Sequence, residues 1–167
     1  MTGSDGPAAQ SEAAAEAAAE VAAAAERLAA AQHRLVAAVT GIGDTPPGFD
    51  VARVELARTS LLAKRSGEVR AAWPALANSM RSRFAAEFAL WAAHRPTRGS
   101  LQDGWLLARE RLAAGLLDDA AALELAMCEA RMVFDGQAPP RRRRGLWTRR
   151  TADGVRVIGW RGRVRVR

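Results

Sequence analysis

The chain has 167 residues, 49% of them hydrophobic, with 25 Lys plus Arg against 18 Asp plus Glu and a net charge of +7. That length suits one domain with tails and a modest core. No apolar run approaches the ~18 residues of a helical membrane span, since Ala13 to Ala25 is interrupted by Glu16 and Glu20. The first eleven residues carry no Lys or Arg ahead of an apolar core, unlike a secretory signal, so the expected location is the cytoplasm. The single Cys128 excludes an internal disulfide framework.

The charge is unevenly distributed. Residues 141–167 hold 11 arginines against one acid, Asp153, a balance of +10, whereas residues 1–140 hold 14 basic against 17 acidic residues, a balance of −3. Only Lys64 is a lysine. Arginine offers planar, bidentate donors suited to phosphate and carboxylate, and GC-rich coding gives the same preference.

From about Ala8 to Val39 alanine dominates, with Glu12, Glu16 and Glu20 spaced by four, which predicts a long helix. Val21, Leu28 and Leu35 recur every seven residues, with Ala17, Ala24, Ala31 and Ala38 three later. This pattern fits an amphipathic helix lying on its own domain or a short coiled coil, with early turns that project or fray. Thr40 to Gly48 reads as a linker. Asp50 is placed to cap a helix from Val51 to about Arg65, with Phe49 stapled on Val54 and with Val54, Ala57, Leu61 and Leu62 inward, before Gly67 weakens it.

Trp73-Pro74 starts the next helix, because proline suits a first turn. Its stripe of Leu76, Met80, Phe84, Phe88 and Trp91 runs to His94, Arg95 and Pro96. Ser100 and Asp103 have capping-box spacing and introduce Leu101, Trp105, Ala108 and Leu112, with Gly115 as the stop. Asp118 or Asp119 caps a last helix with Leu123, Met127, Ala130 and Phe134 inward, closed by Gly136 and Pro139-Pro140. After Arg141 the period becomes two, with Val155 and Val157, then Val164 and Val166, around turns at Asp153-Gly154 and Arg161-Gly162. Strands this short pack on the helices, bind a ligand or stay partly disordered. The expected fold is mainly α: about five helices in an orthogonal or irregular bundle, a long Ala-rich N-terminal helix, and a small basic C-terminal β-hairpin or meander. Its expected parts are 1–48, an Ala-rich helix and linker; 49–138, the helical body; and 139–167, the Arg-rich tail.

Catalysis finds no foothold in the sequence. His33 and His94 lie in different helices without companions at metal-ligand spacing, Cys128 reads as a structural thiol, and Gly41-Ile42-Gly43 follows a helix where a dinucleotide site needs a strand. No cofactor or metal is expected, and the chain reads as a binding protein and not an enzyme. A helix-turn-helix centred on Gly115 fails because Arg111 and Ala121 occupy positions that motif gives to a small and a large aliphatic residue. The tail interleaves Arg141, Arg142, Arg143, Arg144, Arg149, Arg150, Arg156, Arg161, Arg163, Arg165 and Arg167 with Trp147 and Trp160. Nucleic-acid binding requires this combination of phosphate contacts and stacking surfaces, whereas a solubilising tail with its tryptophans packed back on the helices has the same composition. Anionic membrane surface is a third, weaker partner for the same charges.

The stretch from Arg65 to Gly136 resembles a helical family catalogued as a DNA-binding domain and found as partner of multinuclear non-haem iron, methanobactin-type, peptide-modifying enzymes. Trp73-Pro74, Phe84, Phe88, Pro96, Ser100-Leu101, Gly104 and Leu123 to Ala130 carry the likeness. The chain departs from it in lacking a glycine between Met80 and Phe84, in its N-terminal alanine helix, and in its arginine tail. The rest is similar to small actinobacterial proteins from GC-rich genomes. The resemblance implies an accessory role, in which the body holds a peptide or enzyme partner by strand or groove contacts and the partner supplies iron and catalysis. Trp91, Leu101 and Trp105 are the expected partner-groove residues.

Overall fold

The structure, a computed structural model, describes the backbone of residues 6–167 and the side chains of residues 14–167; Met1 to Asp5 and the Glu12 side chain lie outside the described residues. The fold is mainly α with a small C-terminal antiparallel sheet, and the five expected helices are present, the third in two segments. The chain forms two compact units, Met1–Arg58 and Thr59–Arg167.

In the first unit, α1 (Gly6–Val39) is helical through alanine's low entropy cost, with little packing along most of its length. Every side chain from Ala14 to Ala30 is exposed, Val21 and Leu28 included. Among the described side chains of α1 only the last turns pack: Ala38 is buried, and Leu35 and Val39 line a dent with Phe49 and Val54. The heptad therefore meets its own unit only at its C-terminal end. Asp50 caps α2 (Val51–Ala72), its Oδ1 accepting from the amides of Ala52 (2.9 Å) and Arg53 (3.3 Å).

Contrary to the expected end near Arg65, α2 runs on to Ala72. Gly67 faces open space, and its intrinsic cost of about 1 kcal/mol is offset by the burial of Arg65, Ser66 and Val69 around it. The inward face also differs from the expected one, because Ala57 and Leu61 are exposed. What the sequence pattern hides is Arg65, a charged residue on the buried face. Its Nε donates to Asp103 Oδ2 at 2.7 Å, and its Nη1 donates to the carbonyl of Arg95 at 2.9 Å. A buried guanidinium is tolerable only with such complete pairing.

The second unit's core lies among α3 (Pro74–Met80), α4 (Phe84–Ala92), α5 (Ser100–Ala113) and α6 (Asp119–Arg131). Pro74 stands at N1 of α3, as the sequence predicts. The single stripe helix expected from Pro74 to His94 is instead broken by a 3-10 turn, Arg81–Arg83, and Arg81 takes φ 53. Positive φ is ordinarily left to glycine; here an arginine bears the strain, of order 1–3 kcal/mol. The break keeps Leu76, Met80, Phe84 and Phe88 all fully buried.

Asp103 is not a capping-box residue. The N-cap of α5 is Gly99 at φ 93 with no side-chain cap, and Asp103 faces inward to receive Arg65 and the Arg98 amide. Gly104 is required by close approach: a Cβ there would overlap the indole of Trp73, whose Nε1 donates to the Leu101 carbonyl at 3.0 Å. Gly115, at φ 68, ends α5, and Asp118 caps α6 through the Ala121 amide at 2.9 Å.

The last helix was expected to reach Gly136 but stops at Arg131. Met132–Val133 forms β1, paired antiparallel with β2 (Arg141–Arg142), and Phe134 turns into the core against Trp105. The chain then forms a meander of β3 (Trp147–Arg150), β4 (Arg156–Trp160) and β5 (Arg163–Val166), in that order across the sheet. The meander packs on α6 through Val157, which is fully buried with Ala126 and Ala130.

Candidate partner groove and anion-binding face

Because strand side chains alternate, the register of the meander sorts its residues onto two faces. Trp147 lies opposite Gly159, Arg149 opposite Val157, and Val157 opposite Val166. This set faces α6. Gly159 makes the approach possible, since a Cβ there would overlap the backbone of Ala130. The other parity is Thr148 and Arg150 on β3, Ile158 and Trp160 between them and β5, and Arg163 and Arg165 on β5, with Arg156 and Arg167 closing the row. This outer face is exposed except for the half-buried Ile158.

The two faces handle charge differently. On the inner side, Arg149 pairs with Glu129 at 2.8 Å, and the same buried carboxylate takes Arg109 at 2.8 Å. Arg143 donates to the Glu129 carbonyl at 2.7 Å, and Arg143 and Arg149 both lie over the half-buried Trp147. Those three tail residues are therefore committed to packing. The tail's one acid, Asp153, is used in the β3–β4 turn, where it accepts from the Thr151 hydroxyl. Among the described residues no ion pair engages Arg142, Arg144, Arg156, Arg161, Arg163, Arg165 or Arg167. Arg141, in β2, is exposed, and Arg150 donates to the Gly154 carbonyl at 3.1 Å.

At the β4–β5 turn a cleft of about 630 Å³ is lined by Arg142, Arg143, Arg144, Trp160, Arg161 and Arg163. Arg161 (φ 49) and Gly162 (φ 74) form the two-residue turn. Left-handed backbone at both positions is the hairpin geometry that Asn-Gly favours, and here the first position carries a cation. Arg142 lies directly over Gly162, which has no side chain to displace it.

A second concavity, of about 570 Å³, is apolar and lies between α3, α5 and α6. Trp73, Pro74, Leu101, Leu123, Met127 and Met132 supply its apolar lining. Glu124, also at its wall, accepts from the Ala75 (3.1 Å) and Leu76 (2.9 Å) amides and so caps α3. Cys128 lines the same groove, and burial pushes its thiol up to about 12, so it stays neutral and serves as a packing group.

Of the three residues expected to form a partner groove, only Leu101 lines it. Trp105 is fully buried in the core, stacked obliquely on Trp73 and Phe134. Trp91 is half-buried elsewhere, with its Nε1 donating to Glu110 at 2.8 Å and Arg95 over its ring. An aromatic stripe in sequence shows a core-facing side and does not separate core from rim. The groove is lined instead by Trp73, which the sequence marks as a helix start, by Leu123 and Met127, which it assigns to an inward stripe, and by Met132, to which it gives no role. The one available signal was Gly104, which marks the close approach that positions Trp73.

Neither histidine is among the residues that line these two concavities: His33 is exposed on α1 and His94 is exposed after α4. Among the described residues no three His, Cys, Asp or Glu side chains converge as a metal cluster, and no helix is long and apolar enough to cross a membrane.

The arrangement is that of a mainly α body carrying a small antiparallel sheet, with an apolar concavity among the helices and arginine-lined concavities beside the sheet. The family described as SCO6045-like, C-terminal domain, matches residues 29–113, just over half of the chain, and the chain belongs to it. The match runs from the end of α1 through α5; α6 and the arginine-bearing sheet lie beyond it. No match was found among curated proteins or among solved structures.

Proposed function

We propose that the protein is a non-catalytic accessory protein whose helical body docks a protein or peptide partner in the groove between α3, α5 and α6. The observation that carries this reading is the groove itself: an open apolar concavity within the size range of ligand sites, walled by two flexible methionines. Of its two charged wall residues, Arg131 is exposed at the surface and Glu124 is already satisfied by the α3 amides, so an apolar anchor can enter without stripping that carboxylate of its partners. The partner class implied by the family resemblance is a multinuclear iron peptide-modifying enzyme, which would supply the metal and the chemistry. On this reading the protein works in the cytoplasm, in keeping with a single unpaired thiol.

Removing the tail is a poor test, because deleting β3–β5 strips the cover from Ala126 and Ala130. Leu101 is about one-third exposed and can be changed without opening the core. Titrating the full chain into a purified multinuclear iron peptide-modifying enzyme should give a complex that Leu101→Asp weakens by about tenfold or more, the effect of losing a central anchor. Equal binding of the wild type and the variant would remove the groove from the account, and no binding of the wild type would remove this enzyme class.

A further inference from the structure

We propose that the outer face of β3–β5, together with the cleft at the β4–β5 turn, binds single-stranded nucleic acid. This goes beyond the docking reading and uses a different surface. Three observations converge on it.

First, the cations are arrayed and unneutralised. Arg150 faces Arg156 across one strand pair and Arg156 faces Arg167 across the next, so like charges stand directly opposite each other in a row. Such pairs destabilise a sheet, and the inner face shows that this chain neutralises arginines where it needs them only for packing. Arg163, Arg165 and Arg167 recur at alternate positions, about 6.8 Å apart along an extended strand, a repeat comparable to that of successive phosphates in a stretched single strand.

Second, an aromatic platform sits among them. Trp160 is 53% exposed on this face, lies opposite Arg163, and has the Arg161 guanidinium 5.7 Å from its ring. An acidic peptide needs only the charges, whereas an unpaired base uses an exposed indole as a stacking surface that a paired base cannot reach. Third, the turn at Arg161 holds a non-glycine residue in left-handed backbone, a cost that puts one more cation at the cleft rim.

The test uses all 167 residues of the chain and fluorescent 12-nucleotide mixed-sequence DNA and RNA, single-stranded and duplex, across a salt series. Polyglutamate and phosphatidylserine vesicles serve as competitors. Single strands should bind more tightly than duplex. Neutralising about five phosphates should give a slope near −3.5 for log affinity against log salt. Trp160→Ala should weaken single-strand binding at least about fivefold while sparing duplex binding, and Trp160→Phe should restore most of it. Melting curves of both variants matching the wild type would show that the loss is not unfolding. Equal binding of single strand and duplex, or indifference to Trp160→Ala, would overturn the proposal. Stronger capture by polyglutamate or by vesicles would overturn it too and reassign the face to acidic protein or to membrane.

Discussion

Trp147 and Trp160 lie in the same small sheet, each beside arginines, and their surroundings differ completely. Trp147 faces α6, with Arg143 and Arg149 over its ring and the buried Glu129 holding Arg149. Trp160 faces outward, with Arg161 near its ring and no acid in the array around it. Strand parity alone separates them. The lesson is that arginine content does not define a binding surface: Arg143 and Arg149 act as structural members, while Arg163, Arg165 and Arg167 do no visible structural work.

The comparison can be broken most forcefully from the inside. Glu129→Ala removes the carboxylate shared by Arg109 and Arg149 and leaves guanidinium groups around a half-buried indole, which should cost about 3–5 kcal/mol in denaturant unfolding. A smaller effect should come from Gly159→Ala, which forces the sheet off the Ala130 backbone, at about 1–3 kcal/mol in the same assay. If either substitution left stability unchanged, the sheet would not be seated on α6 as described.

Much of the helical body is legible in the sequence because its signals are local. Asp50, Pro74, Gly115 and Asp118 mark helix ends through chemistry confined to one turn. The misreadings have long-range causes. Asp103 has capping-box spacing to Ser100, yet its partner Arg65 is 38 residues away, and nothing near either residue announces the pair. The break at Arg81 is invisible because a stripe spaced by threes and fours continues across the 3-10 turn without losing phase. The end of α6 was misplaced because Phe134 fits the helical period while Met132 and Val133 are drawn into pairing with Arg142 and Arg141. In the tail, alternation revealed strands but not their orientation. Which parity faces inward is decided by Val157 and Gly159 against α6, a contact no local pattern encodes.

The most direct test of the account compares thermal unfolding of Arg163→Gln/Arg165→Gln with that of Arg149→Gln, each at low and high salt. The account predicts that the outer-face double variant melts at or slightly above the wild-type temperature, most clearly at low salt where like-charge repulsion is least screened, while Arg149→Gln melts lower. Destabilisation of the outer-face variant as large as that of Arg149→Gln would contradict it, by showing that those arginines are needed for the fold and are not free for a partner.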